Sequence, residues 1–219
     1  MYKYAIFDLD GTLANTLEDL ANAVNYALKE NEFDTHPVES YKQMVGSGIL
    51  NLLKIASGCD DETTVNRLKQ YFDSYYSQHI IDKTCAYPCC EEMLMNLQSK
   101  GIQLAVLSNK PHIFVGDILK HLFPQVNFNV AWGKKEGFPI KPNPQSVNAV
   151  LKELNADKAQ SVYIGDSNVD VLTAKNGEIS FIGCAWGFRG VEELQQAGAS
   201  NIAHSCEELQ NLILGEAYE

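Results

Sequence analysis

The chain has 219 residues, of which 45% are hydrophobic and 21% charged. This composition is typical of a folded globular protein and is too apolar for a disordered one. Seventeen basic against 28 acidic residues give a net charge of -11, so the overall field repels nucleic acids and anionic lipid surfaces. Any site for a small anion must therefore be locally positive, through lysine, helix N-termini or a bound cation.

The N-terminal region predicts a cytoplasmic protein. Residues 1–8 reach a charged residue, Asp8, too soon to contain the apolar region of a signal peptide, and no later run approaches membrane length. The six cysteines are therefore expected to be reduced thiols. Cys85, Cys89 and Cys90 lie close together, but without C-x-x-C spacing or a histidine pair they are interpreted as small apolar side chains near a helix start.

The first predicted element is a buried strand over residues 3–8, where a short apolar run ends abruptly in Asp8-Leu9-Asp10-Gly11-Thr12. Apolar residues at three- and four-residue spacing predict a helix over 16–29, with Thr16 and Asp19 as its cap. Further helical patterns follow; their ranges are 38–44, 49–56 and 63–79. Residues 15–80 are thus predicted to be a helical block inserted after the first strand.

Strands and helices alternate beyond Pro88. The predicted strands cover 102–107, 128–131, 161–165 and 179–185, and the predicted helices cover 90–100, a segment from Pro111, 144–154 and a segment ending at 176. Parallel neighbours need crossover helices, so this alternation predicts an α/β fold: a doubly wound, mostly parallel sheet with helices on both faces. We expect a core domain of residues 1–14 and 81–219 and a helical cap domain of residues 15–80.

Four short segments fall at the carboxyl ends of predicted strands, where such sheets bind ligands. They are residues 8–12, 108–110, 141–142 and 165–170. Each alone has a plain structural interpretation. Residues 8–12 have a composition typical of a turn, and residues 165–170 could be only a helix cap after a strand. Together, in this order, they resemble the haloacid dehalogenase superfamily, and the resemblance covers the whole chain except the helical block.

The resemblance implies a magnesium-dependent site. A carboxylate that attacks a phosphate ester meets a repulsion of about 4 kcal/mol for unit charges ~4 Å apart at an effective dielectric constant of ~20, and a divalent cation between them reverses its sign. Mg²⁺ prefers oxygen ligands. Asp8, Asp166 and the backbone carbonyl of Asp10 match the ligand set of the superfamily. Asp170, four residues after Asp166, is expected behind the metal.

The resemblance also assigns the chemical roles of the first segment. Asp8 would be the nucleophile that becomes an aspartyl phosphate, and Asp10 would protonate the leaving oxygen and then activate water. Dehalogenases of the superfamily lack a carboxylate two positions after the nucleophile, so Asp10 favours phosphoryl transfer. Gly11 would let the backbone approach the substrate, and Thr12 could offer a hydroxyl or an amide.

The second and third segments supply the candidate groups for the phosphate. Ser108 can donate its hydroxyl to a phosphate oxygen, and Pro111 in the first helical turn would direct the amides of Asn109 and Lys110 at it. Lys141 would stabilise the charge on the transferring phosphate. In the alternative interpretation, Lys110 is a solvated residue at a helix start and Lys141 is a loop charge.

The helical block and two further segments narrow the substrate. Superfamily phosphatases with a block in this position close it over the site as a lid. Residues 141–144 and 186–189, with the 165–170 motif, resemble the phosphoglycolate phosphatase branch; 186–189 could line the site rim or form a tight packed loop. We expect an enzyme for a small phosphorylated metabolite, monomeric or homodimeric. The alternatives are a sugar phosphomutase, a pyrophosphatase or nucleotidase, and a catalytically silent binding protein.

Overall fold

The computed structural model describes residues 1–216, so positions 217–219 of the predicted core domain lie outside the described residues. The strands are β1 (Tyr4–Phe7), β2 (Ala14–Asn15), β3 (Cys85–Ala86), β4 (Gln103–Pro111), β5 (Val130–Lys134), β6 (Ser161–Gly165), β7 (Ser180–Cys184) and β8 (Ile202–Ala203). The helices are α1 (Leu17–Glu30), α2 (Ile49–Ser57), α3 (Glu62–Tyr76), α4 (Cys90–Ser99), α5 (His112–Leu122), α6 (Pro144–Glu153), α7 (Asn168–Gly177), α8 (Gly190–Ala197) and α9 (Cys206–Leu214). Within residues 1–216, no helix is both long and apolar enough to cross a bilayer.

A six-stranded parallel sheet in the order β5-β4-β1-β6-β7-β8 forms the centre of the fold. Its middle strand, β1, is apolar because both of its faces are covered. Ile6 packs in one hydrophobic cluster with residues of α6 and α7, whereas Ala5 and Phe7 pack in another with residues of α4, α5 and α9. Successive side chains of a strand alternate between faces. The predicted doubly wound sheet is therefore confirmed.

The helical block lies between β2 and β3, which pair with each other antiparallel. It contains α1, a 3₁₀-helix at Val38–Gln43, α2 and α3. Apolar side chains of these helices belong to the same continuous cluster as Phe7, so the block packs directly onto the core. The predicted cap after the first strand is confirmed; its boundaries at residues 15 and 80 stay a prediction.

Three predicted elements are present but differ from the structure in type or bounds. The segment predicted as a helix over 38–44 is a 3₁₀-helix, and the strand predicted at 128–131 begins at Val130 and runs to Lys134. β4 continues through Ser108 to Pro111, and α5 begins only at His112. Pro111 has φ −52° and ψ 132°, an extended conformation that places it at the N-cap of α5, and it still pairs with Lys134 of β5 in the sheet.

The predicted cap of α1 was also wrong, and the reason is tertiary. Thr16 makes no side-chain cap bond, and its hydroxyl donates instead to Asp10 Oδ1 over 2.6 Å. The buried Asp19 carboxylate accepts the amides of Lys83 (3.0 Å) and Thr84 (2.8 Å). Asp19 therefore ties the start of α1 to the segment that returns the chain from the helical block to β3.

Replacing Asp19 with alanine is expected to lower the free energy of unfolding by about 2 kcal/mol, because the Thr84 amide is buried and loses its acceptor. Urea denaturation would measure the change. The matched control is Glu18→Ala, an exposed neighbour in the same turn, which should shift stability by less than ~0.5 kcal/mol. Equal effects of the two substitutions would contradict this role for Asp19.

Candidate active site

Three neighbouring strands bring the predicted segments together. β1 pairs with β4 on one side and β6 on the other. Residues 8–12 follow β1, residues 108–110 form the last part of β4, and residues 165–170 begin at the end of β6, so the three segments lie at one edge of the sheet. Asp8 comes directly after β1, and its amide still donates to the carbonyl of Ile164 in β6 over 2.8 Å. The loop between β5 and α6 adds Lys141. The four segments therefore meet at the edge where parallel sheets bind ligands.

Lys141 is the central buried cation of this edge. Its Nζ lies 2.9 Å from Asp8 Oδ1 and 2.8 Å from Asp170 Oδ1, and it donates to the hydroxyl of Tyr163 over 2.9 Å. Asn109 fixes the backbone around it: its Oδ1 accepts the Lys141 amide (2.8 Å), and its Nδ2 donates to the Lys141 carbonyl (3.1 Å). Lys141 is thus not a loop charge, and the Asn109 side chain positions it.

The backbone of two glycines packs directly against the side chain of Asp166. A Cβ on Gly11, whose φ is +88°, would lie 2.5 Å from Asp166 Oδ2, and a Cβ on Gly187 would lie 2.1 Å from the Asp166 Cβ. The carboxylate accepts the Phe188 amide (2.8 Å) and the Thr12 hydroxyl (3.1 Å). Gly11 and Thr12 therefore both act on the position of Asp166.

Asp170 lies in the first turn of α7, where its Oδ2 accepts the amide (3.1 Å) and the hydroxyl (2.7 Å) of Ser167. Ligand oxygens of Asp8, Asp166 and Asp170 lie within 4.8 Å of one another. Both oxygens of Asp170 already have partners, whereas Asp8 Oδ2 has no hydrogen bond within residues 1–216. This arrangement suits a hard cation near Asp8 and Asp166 with Asp170 behind it.

Burial of these like charges moves their pKa values. Burial, with the charges of Asp170 and Asp10, raises the pKa of Asp8 to about 7, although Lys141 opposes the change. Burial and the neighbouring carboxylates of Asp170 and Asp8 raise the pKa of Asp166 well above its usual value. For Lys141, burial alone would lower the pKa, but Asp170 and Asp8 outweigh it and raise the pKa. Binding of protons or of a cation therefore stabilises these carboxylates, because it removes their mutual repulsion.

Lys110 is buried and is not a solvated helix-start residue. Its Nζ lies 3.0 Å from Asp10 Oδ1, the oxygen that also accepts the Thr16 hydroxyl. The Lys110 amide donates to Ser108 Oγ over 3.3 Å, so this amide is not free in the way that the sequence predicted. The Ser108 hydroxyl hydrogen stays available for another acceptor.

A cavity separates these groups from the helical block. On the core side it is lined by Asp8, Asp10 and residues 108–111, and on the side of the helical block by residues from α1, the 45–52 segment and α3. Tyr76, the last residue of α3, also lines it. No sequence motif predicts that Tyr76 lies at the site; its four-residue spacing from Phe72 indicates only that both lie on one helical face.

Residues 186–189, which follow β7, make hydrogen bonds both to the site and to the helical block. Trp186 Nε1 donates to the carbonyl of Thr12 over 3.0 Å. Arg189 reaches the helical block, where Nη1 donates to Gln43 Oε1 (2.6 Å) and Nη2 to the carbonyl of Val45 (3.2 Å). The loop therefore supports the Asp166 side of the site and also connects it to the lid.

The cysteines do not form a metal site in the part of the chain that the structure describes. There, the one group of three or more ligating side chains is the set of Asp8, Asp166 and Asp170. Cys85 and Cys89 are exposed, and Cys90 is buried. The interpretation as small apolar side chains therefore suits Cys90, while the other two face solvent.

Comparison with known proteins supports the assignment that the motifs indicated. Residues 5–184 match the sequence profile of the haloacid dehalogenase-like hydrolase family. The chain is 34% identical over 200 residues to a phosphoglycolate phosphatase of Colwellia psychrerythraea, with 88% of each chain covered. It is 33% identical over 196 residues to one of Mannheimia succiniciproducens, covering 85% of this chain and 87% of that protein.

The fold is shared with solved structures. A crystal structure from Lactobacillus delbrueckii subsp. bulgaricus, provisionally described as a phosphoglycolate phosphatase, superimposes with a TM-score of 0.91 at 37% identity and covers 98% of this chain and 99% of that one. The predicted resemblance to this superfamily and its phosphoglycolate phosphatase branch is thereby confirmed. The chain belongs to the haloacid dehalogenase-like hydrolase family.

Proposed function

We propose that this chain is a Mg²⁺-dependent phosphatase that hydrolyses a small phosphate monoester of the phosphoglycolate type. The observation that carries the proposal is the buried ammonium of Lys141, bound to Asp8 and Asp170 beside Asp166. It gives a protein of net charge -11 a cationic centre where a phosphate would have to bind. The phosphoglycolate phosphatases among its relatives support the substrate class.

In the proposed reaction, Asp8 attacks phosphorus. Lys141 and the Leu9 amide hold its Oδ1, which leaves Oδ2 to form the new P–O bond as the ester bond breaks. Asp10, held by Lys110 and Thr16 through its Oδ1, gives a proton to the leaving oxygen. Asp10 then takes a proton from the water that cleaves the aspartyl phosphate and regenerates Asp8.

The residues present fit a magnesium ion. Asp8, Asp166 and the carbonyl of Asp10 would hold it, and Asp170 would act through Lys141 and Ser167. When bound, Mg²⁺ supplies the positive charge that offsets repulsion between the nucleophile and the phosphate. A divalent cation also relieves the mutual repulsion of the carboxylates.

The remaining residues complete the proposed substrate site. The Ser108 hydroxyl would donate to a phosphate oxygen, and the helical block of residues 15–80 would close over the substrate as a lid. Gly11 and Thr12 would contribute through Asp166, because their amides already donate to the carbonyls of Ala14 and Leu9. Asn109 would contribute by connecting β4 to Lys141 and to the lid carbonyl of Gly46. We further propose a cytoplasmic monomer or homodimer acting on a metabolite and not on nucleic acid.

Asp8→Asn is expected to reduce the turnover of p-nitrophenyl phosphate at least ~1,000-fold, because the amide is a poor nucleophile. Phosphate release measures the loss, and circular dichroism should show an intact fold. Asp117→Asn, a substitution of an exposed residue in α5, is the matched control and should retain wild-type turnover. Turnover close to wild type in Asp8→Asn would disprove the nucleophile.

Stabilisation by Mg²⁺ is expected to grow from pH 5 to pH 8. In the folded protein the pKa of Asp8 is raised to about 7, so protonation of Asp8 stabilises the metal-free fold. This contribution is fully present below about pH 4 and is lost as the pH rises through about 7. Mg²⁺ replaces those protons and so adds more stability at the higher pH. Thermal unfolding with Mg²⁺ or EDTA at each pH measures the difference.

Two variants and an activity assay serve as controls for the magnesium measurement. Asp166→Asn should lose most of the Mg²⁺-induced rise in Tm, whereas Asp117→Asn should keep it. EDTA should abolish turnover of p-nitrophenyl phosphate by the wild-type protein, and added Mg²⁺ should restore it. A Mg²⁺ shift of equal size at pH 5 and pH 8, or none at all, would contradict the proposed metal site.

A further inference from the structure

Tyr76 carries a polar group that the proposed reaction does not use. Its side chain is fully buried, yet the hydroxyl has no hydrogen-bond partner within residues 1–216. The ring is fixed by stacking on Phe72 (centroids 5.0 Å apart) and by an edge contact with Phe114 (5.2 Å). A buried hydroxyl without a partner costs free energy, so the rigid position of this one indicates a ligand.

The hydroxyl lies next to the reaction centre. Burial raises the pKa of the Tyr76 hydroxyl to about 12. Lys110 Nζ, which is 3.0 Å from Asp10 Oδ1, lies 4.8 Å from the centroid of the Tyr76 ring. Tyr76 and both of these residues line the same cavity. The phenol is therefore a neutral donor beside the groups that are proposed to act on the leaving oxygen.

Lys110 has spare donors at the same place. An ammonium has three hydrogens to donate, and the Lys110 Nζ makes one hydrogen bond, to Asp10, within the described residues. Its side chain is 1% exposed, so bulk water does not readily satisfy the others. Nζ lies 4.8 Å from the centroid of the Tyr76 ring. The Lys110 ammonium and the neutral Tyr76 phenol are therefore adjacent hydrogen-bond donors.

The rest of the lid side is lined by apolar side chains. Its wall is formed by Leu20, Val45, Ile49, Leu52 and Phe72. Among the described residues, Lys110 is the one cationic side chain that lines the cavity. The cavity volume is about 40 Å³, against the ~10–15 Å³ that one water needs. The space suits a leaving group of a few heavy atoms with one polar end.

We propose that Tyr76 and Lys110 form the subsite that binds a carboxylate on the leaving part of the substrate, so that these two residues determine the selectivity for esters of the phosphoglycolate type. This inference rests on the proposed phosphatase function. Lys110 Nζ lies 3.0 Å from Asp10 Oδ1, so an anion bound there is close to the leaving oxygen. A carboxylate on the carbon that bears the ester oxygen meets that requirement.

The same geometry disfavours sugar phosphates. A sugar presents hydroxyls in several directions, and those that face the wall of Leu20, Val45, Ile49, Leu52 and Phe72 would lose their hydrogen bonds to water without replacement. A site that matches one polar group discriminates strongly against ligands that lack it or that add unmatched ones. The inference therefore also separates a phosphatase for hydroxy-acid esters from a sugar phosphomutase.

The test compares 2-phosphoglycolate with ethyl phosphate, which has a methyl group in place of the carboxylate. We expect wild-type protein with Mg²⁺ to prefer 2-phosphoglycolate in kcat/KM. Tyr76→Phe should lower kcat/KM for 2-phosphoglycolate by about 10- to 100-fold, as expected for the loss of a hydrogen bond to a charged group. The same variant should change ethyl phosphate hydrolysis less than ~3-fold.

Two controls keep the outcomes distinct. Tyr71→Phe, on the exposed side of α3, should leave both substrates unaffected. Tyr76→Phe should unfold at the wild-type temperature or higher, because it removes an unpartnered hydroxyl; a large drop in Tm would show that the hydroxyl has a structural partner and would overturn the subsite.

The kinetic results distinguish a wrong carboxylate subsite from a wrong phosphatase function. Equal loss on both substrates in Tyr76→Phe, equal wild-type efficiency on both, or better use of β-glucose 1-phosphate would overturn the carboxylate subsite and leave the phosphatase standing. If wild-type protein with Mg²⁺ hydrolysed none of these esters and not p-nitrophenyl phosphate either, the proposed function would fall, and the subsite with it.

Discussion

The site depends on the balance between buried carboxylates and buried ammonium groups. Asp8, Asp166 and Asp170 place ligand oxygens within 4.8 Å of one another, an arrangement that repulsion would disrupt without compensating charge. Lys141 supplies one such charge, but it contacts only Asp8 and Asp170 in this group. The hydrogen-bond donors to Asp166 within residues 1–216 are neutral. The structure thus has a deficit of positive charge where the proposed cation would bind.

Backbone geometry makes that crowding possible. Asp166 has glycine backbone at two sides, from Gly11 and from Gly187, at distances that a Cβ would not tolerate. A third glycine, Gly165, allows Asp170 to approach in the same way, since a Cβ on Gly165 would lie 2.3 Å from the Asp170 Cβ. Close approach excludes water and strengthens each electrostatic interaction. The glycines of the site are therefore explained by packing around acids as well as by turns.

The ammonium groups of Lys141 and Lys110 lie beside different proposed catalytic residues. Lys141 lies at the sheet and contacts the proposed nucleophile, while Lys110 contacts the proposed acid/base group and faces the lid cavity. This separation gives the phosphate side and the leaving-group side independent sources of positive charge. The lid adds mainly apolar surface to the second side, so selectivity there depends on few polar groups.

Five of the six strands of the sheet, the inserted helical block and the segments at the ends of β1, β4 and β6 could be predicted from the amino-acid sequence, because hydrophobic periodicity and strand-end acids are local signals. Strand β8 was not predicted, and Lys141 lies in the loop between β5 and α6 and not at a strand end. Which side chains meet could not be predicted in this way, since those contacts join residues far apart in the chain. Thr16 and Asp19 have the sequence of a helix cap, yet they bind Asp10 and the returning chain. Tyr76 reaches the site through the packing of α3 onto the core, over a sequence separation that no local pattern encodes.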